Sequence, residues 1–367
     1  MSEITATFDS VLRKGLEVNA SDVHLCVGSQ WKYRIHGHIV PIKSLPPLKP
    51  PDIEEICRHI LVTSRVGRLE DLDSTVHTLQ DLDTSYSLAG VCRFRVNICR
   101  QRGTFSIVLR VIPFDSPTIE SLGLPPVIRD IAMEERGMIL VTGITGSGKS
   151  TTLAAMIREI NHAKPYKIVT IEDPIEYLHR EAKSSIIQRE VGADTESFAK
   201  ALRASLRQDP DVILVGEMRD LETIDIALKA AETGHLVLST LHTMDAPKTI
   251  QRILSVYDLS EQAAVRLRIS EAIRAIISQR LVRRKDKSGR VAVLEILRNT
   301  LSVKDCIENP EKTGNIKDFI ATGRDQYGMQ TFDQHLMDLY KAGAIDFETA
   351  CAAASSAADF ERNVQFQ

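Results

Sequence analysis

The chain has 367 residues, more than one hydrophobic core usually serves, so two domains are expected. Its 43% hydrophobic and 26% charged residues are those of a globular protein, and no apolar run approaches the ~20 residues of a membrane span, which excludes an integral membrane protein. A net charge of −3, from 46 basic and 49 acidic residues, excludes recruitment of nucleic acid by a global field.

The opening MSEITATFDSVLRKG has early acidic residues and no apolar core, so no signal peptide is expected and the cytoplasm is the expected compartment. Cys26, Cys57, Cys92, Cys99, Cys306 and Cys351 form no C-x-x-C pair, which argues against disulfides and zinc knuckles and for buried reduced thiols.

Ile4, Phe8, Val11, Leu12 and Leu16 recur at helical spacing and predict a first helix ending near Gly15 to Asn19. VHLCVG and WKYRIHGHIVPI read as strand, strand, tight turn at His36-Gly37, strand. A proline-rich connector from Leu45 to Pro51 leads to a helix marked by Ile53, Ile56, Cys57 and Ile60. From Leu79 to Ile112 the period becomes two, which predicts an antiparallel meander. Its middle strand puts Cys92, Phe94, Val96 and Ile98 on one face and Arg93, Arg95 and Asn97 on the other, and Arg110 falls opposite Leu109 and Val111 in the last strand. By parity alone that arginine-lined face reads as solvated sheet surface.

The Pro-, Ser- and Gly-rich stretch 113–126 is the expected linker between a domain over 1–112 and a second over 127–367. The second domain opens on MILVTG, and Gly143 to Ser150 (GITGSGKS) then matches G-x-x-x-x-G-K-[ST] residue for residue. Glycines at 146 and 148 let consecutive N–H groups turn onto one anion. Lys149 is placed to reach the β- and γ-phosphates, the Ser150 hydroxyl to ligate Mg²⁺, and the helix starting at Lys149 to aim its positive end at the same charge. Strands and helices then alternate: helix Lys149 to Asn161, KIVTIED, helix Ser197 to Arg207, DVILVGE, helix Leu221 to Thr233, HLVLSTL. This pattern predicts a parallel sheet covered by helices. Helical patterns from Ser260 to Arg284, a strand-like VAVLEIL and helices from about 300 complete the chain. The basic run Arg280, Arg283, Arg284, Lys285, Lys287, Arg290 brackets a Ser288-Gly289 turn and reads as a solvated loop in preference to a polyanion site.

Hydrolysis beside a γ-phosphate needs a group that orients or deprotonates water, and strand ends supply it in P-loop enzymes. Glu172 and Asp173 follow one strand, Glu217 another, and Glu176 follows Pro174. Gly216 stands where a Mg²⁺-holding aspartate is usual, so Glu217 is left to act on Mg²⁺, on its water, or on both. His235 and His242 bracket HLVLSTLH, and His242 lies at the C-terminal strand end, where open α/β sheets bind ligands. It is the candidate γ-phosphate sensor, with a structural role as the alternative.

GITGSGKSTT, TIEDPIEY, LRQDPDVILVGEMRD and GHLVLSTLHT, in that order and spacing, resemble the Walker A, aspartate-box, Walker B and histidine-box motifs of the secretion superfamily (type II/IV secretion) ATPases. Within them the chain is most similar to the type IV pilus retraction ATPases, the PilT-like group. SDVHLCVG...YRIHGHIVPI and CRFRVNICRQRG...LRVIP resemble that group's N-terminal domain, and GMQTFDQHLMDLYKAGAI its C-terminal helices.

The resemblance implies an α/β protein: a PAS-like α+β domain followed by a RecA-like P-loop NTPase domain with a helical C-terminal part. It implies a homohexamer that binds ATP and Mg²⁺ between subunits and retracts a pilus from the cytoplasmic face of the inner membrane. Its partners are then a platform protein and a paralogous pilus ATPase, with no nucleic acid. Gly143, Thr145, Gly146, Ser147, Gly148, Lys149, Ser150 and Thr151 then hold the nucleotide, Ser150 and Glu217 the metal. Glu172, Glu176 and Glu217 surround water and metal, His242 senses the γ-phosphate, and Arg95 and Arg110 are arginine fingers. Ile144 and Ser239 replace a proline and a glycine common in the group. The segment NTLSVKDCIENPEKTGNIKDF lacks the A-I-R-N-L-I-R-E motif of the main retraction motors, which leaves an accessory, PilU-like ring with low hydrolysis, or a motor of a related secretion system, as the alternatives. A RecA-like nucleic-acid translocase is disfavoured by 5% aromatic content and balanced charge.

Overall fold

The computed structural model describes residues 2–64, 72–112 and 116–365. They divide into two compact units, one formed by Met1–Asp115 with Pro174–Leu178 and Glu190–Asp194, the other by Ser116–Asp173, His179–Arg189 and Thr195–Gln367.

The first unit runs α1 (Glu3–Glu17), β1 (Asp22–Cys26), β2 (Lys32–Ile35), β3 (His38–Pro41), α2 (Pro50–Thr63), α3 (Leu72–Thr78), β4 (Asp81–Leu88), β5 (Cys92–Gln101) and β6 (Thr104–Ile112). Ser2 caps α1 by accepting the Thr5 N–H, and Phe8, Val11 and Leu12 turn one face into the core, each large side chain worth about 2 kcal/mol when fully buried. His36 and Gly37 both have positive φ (50° and 83°), the two-residue turn whose twist matches the β2–β3 hairpin. The six strands form one antiparallel sheet in the order β3-β2-β1-β6-β5-β4. Alternation in β5 is as expected, with Cys92, Phe94, Val96 and Ile98 buried. Helix α3 has no counterpart in the sequence reading, because LDSTVHT presents a single buried residue, Val76, and so no period.

In the second unit the elements are α4 (Val127–Ala132), β7 (Gly137–Thr142), α5 (Lys149–Ala163), β8 (Lys167–Glu172), β9 (Ser185–Glu190), α6 (Phe198–Ser205), β10 (Val212–Val215), α7 (Leu221–Glu232), β11 (Leu236–Leu241), α8 (Ala246–Leu254), α9 (Gln262–Ala272), β12 (Ile273–Arg283), β13 (Arg290–Arg298), α10 (Leu301–Glu308), α11 (Ile316–Thr322), α12 (Arg324–Tyr327), α13 (Phe332–Lys341), α14 (Phe347–Ala353) and α15 (Ala357–Gln365). The last residue of β9, Glu190, packs with the first unit. The sheet order is β13-β12-β7-β11-β10-β8-β9, with β12, β7, β11, β10 and β8 parallel and β13 antiparallel at the edge. All six residues of β7 are buried, as a central parallel strand requires. This brings the C-terminal ends of β7, β10 and β11 side by side. Phe332, Leu336, Ile345 and Phe360 form a separate apolar cluster with Val291 and Val293 of β13.

Two expectations need correction. The helical pattern over Ser260 to Arg284 breaks at Ala272, and Ile273 to Arg283 is strand β12. The β-branched Ile273, Ile276 and Ile277 are fully buried, and paired strands on both sides override helical spacing. Within the stretch 113–126, 113–115 lie outside the described residues, and Ile119 and Leu124 are buried in the second unit's core. All six cysteines are free, but only Cys57, Cys92 and Cys306 are buried; of the partly exposed ones, Cys26 ends β1, Cys99 lies on the face of β5 that carries Arg93, Arg95 and Asn97, and Cys351 lies on α14. The basic run splits: Arg280 lies within β12, its guanidinium over the Phe332 ring, whereas Arg284 pairs with Asp286 in the turn. No helix among the described residues is long and apolar enough to cross a membrane.

Candidate active site

The loop Gly143 to Gly148 leaves the buried end of β7 and enters α5 without a break. Gly143, Gly146 and Gly148 all have positive φ (145°, 77° and 89°). A Cβ at Gly143 would stand 2.4 Å from the Gln279 carbonyl, and one at Gly148 2.8 Å from Gln279 Nε2, so these two glycines answer to crowding as well as to backbone angle. Ile144, Thr145 and Gly146 form the exposed crest, and Ser147 is buried beneath it. Gly148 is the N-cap of α5 and brings no side-chain acceptor to the first turn, nor does that turn hold an acid, so the positive helix end is left for an outside anion. Buried Lys149 folds back over the loop, its Nζ donating to the carbonyls of Gly143 (3.0 Å) and Ile144 (3.2 Å). Ser150 and Thr151 follow in the same first turn.

Glu217 stands just beyond β10. Its Oε1 lies 2.9 Å from His242 Nε2, just beyond β11, and its Oε2 lies 2.6 Å from the Arg219 guanidinium. Burial pushes its pKa up, but the Arg219 hydrogen bond and the fields of His242, Arg219 and Lys149 outweigh burial and hold the carboxyl below its usual range. It is therefore a carboxylate at neutral pH, able to bind a cation or accept a proton from water. The segment before it is tied to β11: Ser239 Oγ donates to Val215 O (2.6 Å) and Thr240 Oγ1 to Gly216 O (2.7 Å). Ser239 thus supplies a bond that a glycine there would not. Gly216 is closely packed, since a Cβ would lie 3.2 Å from Ile171 O and 3.3 Å from Glu172 Cα, so a larger residue there would require the end of β8 to shift.

Of the other sequence-predicted residues, Glu172 ends β8 and accepts from Thr170 Oγ1 (2.6 Å) and Gln188 Nε2 (3.3 Å). Glu176, exposed, lies in Pro174–Leu178 and packs with the first unit. Arg95 and Arg110 also belong to the first unit and are direct cross-strand partners on β5 and β6. Arg95 is exposed, while Arg110 donates from Nε to the buried Asp22 at 2.9 Å. Burial pushes the Asp22 carboxyl up, and hydrogen bonds from Arg110 and Ser21 overcome it, leaving the pKa lowered. His235 is structural: its Nδ1 lies 3.0 Å from Ala230 O at the end of α7.

Sequence reading missed Gln279 and Arg219. Gln279 on β12 is buried, donates from Nε2 to Ser147 O (2.7 Å) and accepts from Thr152 Oγ1 (2.7 Å). Beside it, Ser278 bridges Thr142 Oγ1 (3.1 Å) and the buried Glu295 (3.4 Å), which also accepts the Ala246 N–H at the start of α8 (2.9 Å). The available signal was a polar pair, Ser278-Gln279, inside an otherwise apolar run. Arg219 had only its nearness in sequence to Glu217.

A glycine-built anion nest opening a helix, with a carboxylate at a neighbouring parallel strand end, defines a P-loop nucleotide-binding protein. The chain matches the family model described as type II/IV secretion system protein over residues 2–350, and it belongs to that family of secretion ATPases. It is 44% identical over 331 residues, 90% of this chain and 93% of that one, to the type IV pilus retraction ATPase PilT of Pseudomonas aeruginosa. It is 39% identical over 352 residues, 96% of this chain and 90% of that one, to the type IV pilus ATPase PilU of the same organism. A crystal structure titled as the pilus retraction motor PilT with bound ADP superimposes with a TM-score of 0.85 at 42% identity, over 96% of this chain and 98% of that one. The mixed α/β architecture is that of the PilT structure.

Proposed function

We propose that this chain is the subunit of a homohexameric ATPase that couples ATP hydrolysis to retraction of a type IV pilus. The observation that carries the reading is the Glu217–His242 pair, 2.9 Å apart, within the same unit as a phosphate nest whose Lys149 lowers the Glu217 pKa. Gly143, Thr145, Gly146, Ser147, Gly148, Lys149, Ser150 and Thr151 bind the phosphates, as the bound ADP of the similar PilT structure supports. Ser150 and Glu217 hold Mg²⁺, which supplies charge neutralisation of the phosphates. Among the described residues no three His, Cys, Asp or Glu side chains gather into a metal site, and a metal held by one hydroxyl, one carboxylate and phosphate oxygens needs no such cluster.

Glu217 orients and deprotonates the water, Glu172 and Glu176 shape its surroundings, and His242 reads the γ-phosphate through its bond to Glu217. Arg95 and Arg110 act in a neighbouring copy's site. Arg95, exposed and without a bonded partner among the described residues, is the freer finger, and Arg110 first has to leave Asp22. In this reading the first unit is PAS-like, the second RecA-like, and the ring works in the cytoplasm against an inner-membrane platform protein, alongside a paralogous pilus ATPase and without nucleic acid.

The purified chain is expected to hydrolyse ATP with Mg²⁺, and Lys149→Ala or Glu217→Gln to reduce turnover at least a hundredfold. Full activity in both variants overturns the reading. In cells, deletion should leave surplus surface pili without twitching, and the Glu217→Gln strain should reproduce it; loss of pili would point to assembly instead. A second reading, an accessory ring with low hydrolysis, is favoured by the 39% identity to PilU over 96% of the chain and by the absent A-I-R-N-L-I-R-E motif. Slow turnover by the purified chain, raised on mixing with a paralogous motor, would select it.

A further inference from the structure

We propose that Gln279 is a positioning residue for the phosphate site: it fixes the orientation of the Ser147–Gly148 peptide and thereby turns the Gly148 N–H toward the bound phosphates. The inference rests on the nucleotide reading above and assigns a role to a strand outside the four motifs.

In a trans peptide the C=O and the following N–H point in opposite directions. Gln279 Nε2 holds the Ser147 carbonyl at 2.7 Å, so the Gly148 N–H points away from that side chain. Gly148 has φ 89° and no Cβ to restrict it, so its neighbouring peptides flip more readily than those of any L-residue. A glycine loop needs an external clamp if its donors are to be aimed before the ligand arrives, and preorganised donors are what a phosphate site uses.

The clamp is itself held. An amide side chain presents N–H₂ or oxygen according to its flip, and only one flip serves Ser147 O. The Ser147 carbonyl, which can only accept, sets that flip, and Thr152 Oγ1, donating to Gln279 Oε1 at 2.7 Å from one turn into the helix that the loop opens, anchors the other end of the amide. Gln279 is 3% exposed and Thr152 1%, so neither bond competes with water. The fit is close, because a Cβ on Gly148 would lie 2.8 Å from the same Nε2.

The test measures binding of mant-ADP to the full chain by fluorescence, with inorganic pyrophosphate as competitor, in Gln279→Met, Gln279→Glu, Thr152→Val, Thr152→Ser and Lys149→Ala. Gln279→Met keeps length and apolar fill but lacks the donor, and it is expected to weaken both ligands about tenfold, the value of one hydrogen bond to a charged group. Gln279→Glu, which keeps the Thr152 bond and presents oxygen to the Ser147 carbonyl, should weaken them at least as much. Thr152→Val should weaken binding in the same direction, Thr152→Ser should restore it, and Gln279→Met with Thr152→Val should bind no worse than Gln279→Met alone, since Thr152 acts through Gln279. Binding within twofold of wild type in Gln279→Met, while Lys149→Ala binds poorly, overturns the positioning role and leaves the nucleotide reading standing. Additive losses in the double variant also overturn it, because they would mean two independent packing effects. If Lys149→Ala binds as well as wild type, both the nucleotide reading and this one fail. Should the Gln279 variants not fold, the Thr152→Val loss and Thr152→Ser recovery decide the matter alone.

Discussion

His335 sits on α13 with 6% of its surface exposed, and its Nδ1 accepts the Leu294 N–H of β13 at 2.9 Å. An accepting ring nitrogen carries no proton, and burial pushes the His335 pKa from 6.5 down to about 4, with Asp338 opposing the shift and Arg324 adding to it. A histidine with a lower pKa in the fold binds fewer protons folded than unfolded, so the fold loses stability as pH drops through 6.5 and the loss is complete below about 4. For these two values the loss between pH 7 and pH 5 is about 2 kcal/mol. His335→Asn offers Oδ1 where Nδ1 stood and does not titrate, so it should lack this loss. Urea unfolding of both proteins at pH 7 and pH 5, followed by far-UV circular dichroism, measures the difference. His179, also pushed down to about 4 by burial, titrates in both proteins and cancels. Fluorescence of the single tryptophan, Trp31, buried in the first unit, follows a transition in which the two proteins should respond alike. Equal pH losses in wild type and variant would refute the argument, and with it the neutral ring assigned to His335.

Two further outcomes follow from the ion pairs. Arg219→Ala removes the hydrogen bond that keeps the Glu217 carboxyl low against burial, so the acid limb of the pH profile for hydrolysis should move upward; an unmoved limb would mean that Glu217 protonation does not limit turnover. Arg93→Ala leaves Glu190, 5% exposed and also bonded to the Ile175 N–H, without its cation, and should destabilise the first unit by about 3 kcal/mol in Trp31-monitored urea unfolding. A loss below about 1 kcal/mol would show that water reaches that carboxylate.

Much of the fold was legible because the relevant signals are local. The octapeptide with its flanking strand and helix, the His36-Gly37 turn and the period-two meander each carry their instructions within a few residues, and the structure has them where expected. The misreading from Ile273 to Arg283 has the opposite origin. Apolar residues there are dense enough to satisfy helical spacing, and what makes the segment a strand is that β7 and β13 lie on either side of it. The stretch 113–126 shows a related point: proline and glycine mark irregular backbone, not mobility, and Ile119 and Leu124 are buried in the second unit's core.

The site shows the same division, and it separates what a residue is from what holds it. Glu217 and His242 could be picked out as an acid and a base at strand ends, but their 2.9 Å contact depends on β10 and β11 being hydrogen-bonded neighbours, which strand order decides. Arg110 shows how a partner changes a reading: parity placed it on a polar face, yet β1 runs beside β6 in register, Asp22 against Arg110, and converts a free cation into half of an ion pair. Arg95, one strand away and opposite Arg110, has no such neighbour on its other side, since β4 sets Ser85 against it. Two arginines alike by alternation thus differ in what each must give up before it could meet a phosphate: Arg110 a bond to a buried carboxylate, Arg95 only its hydration.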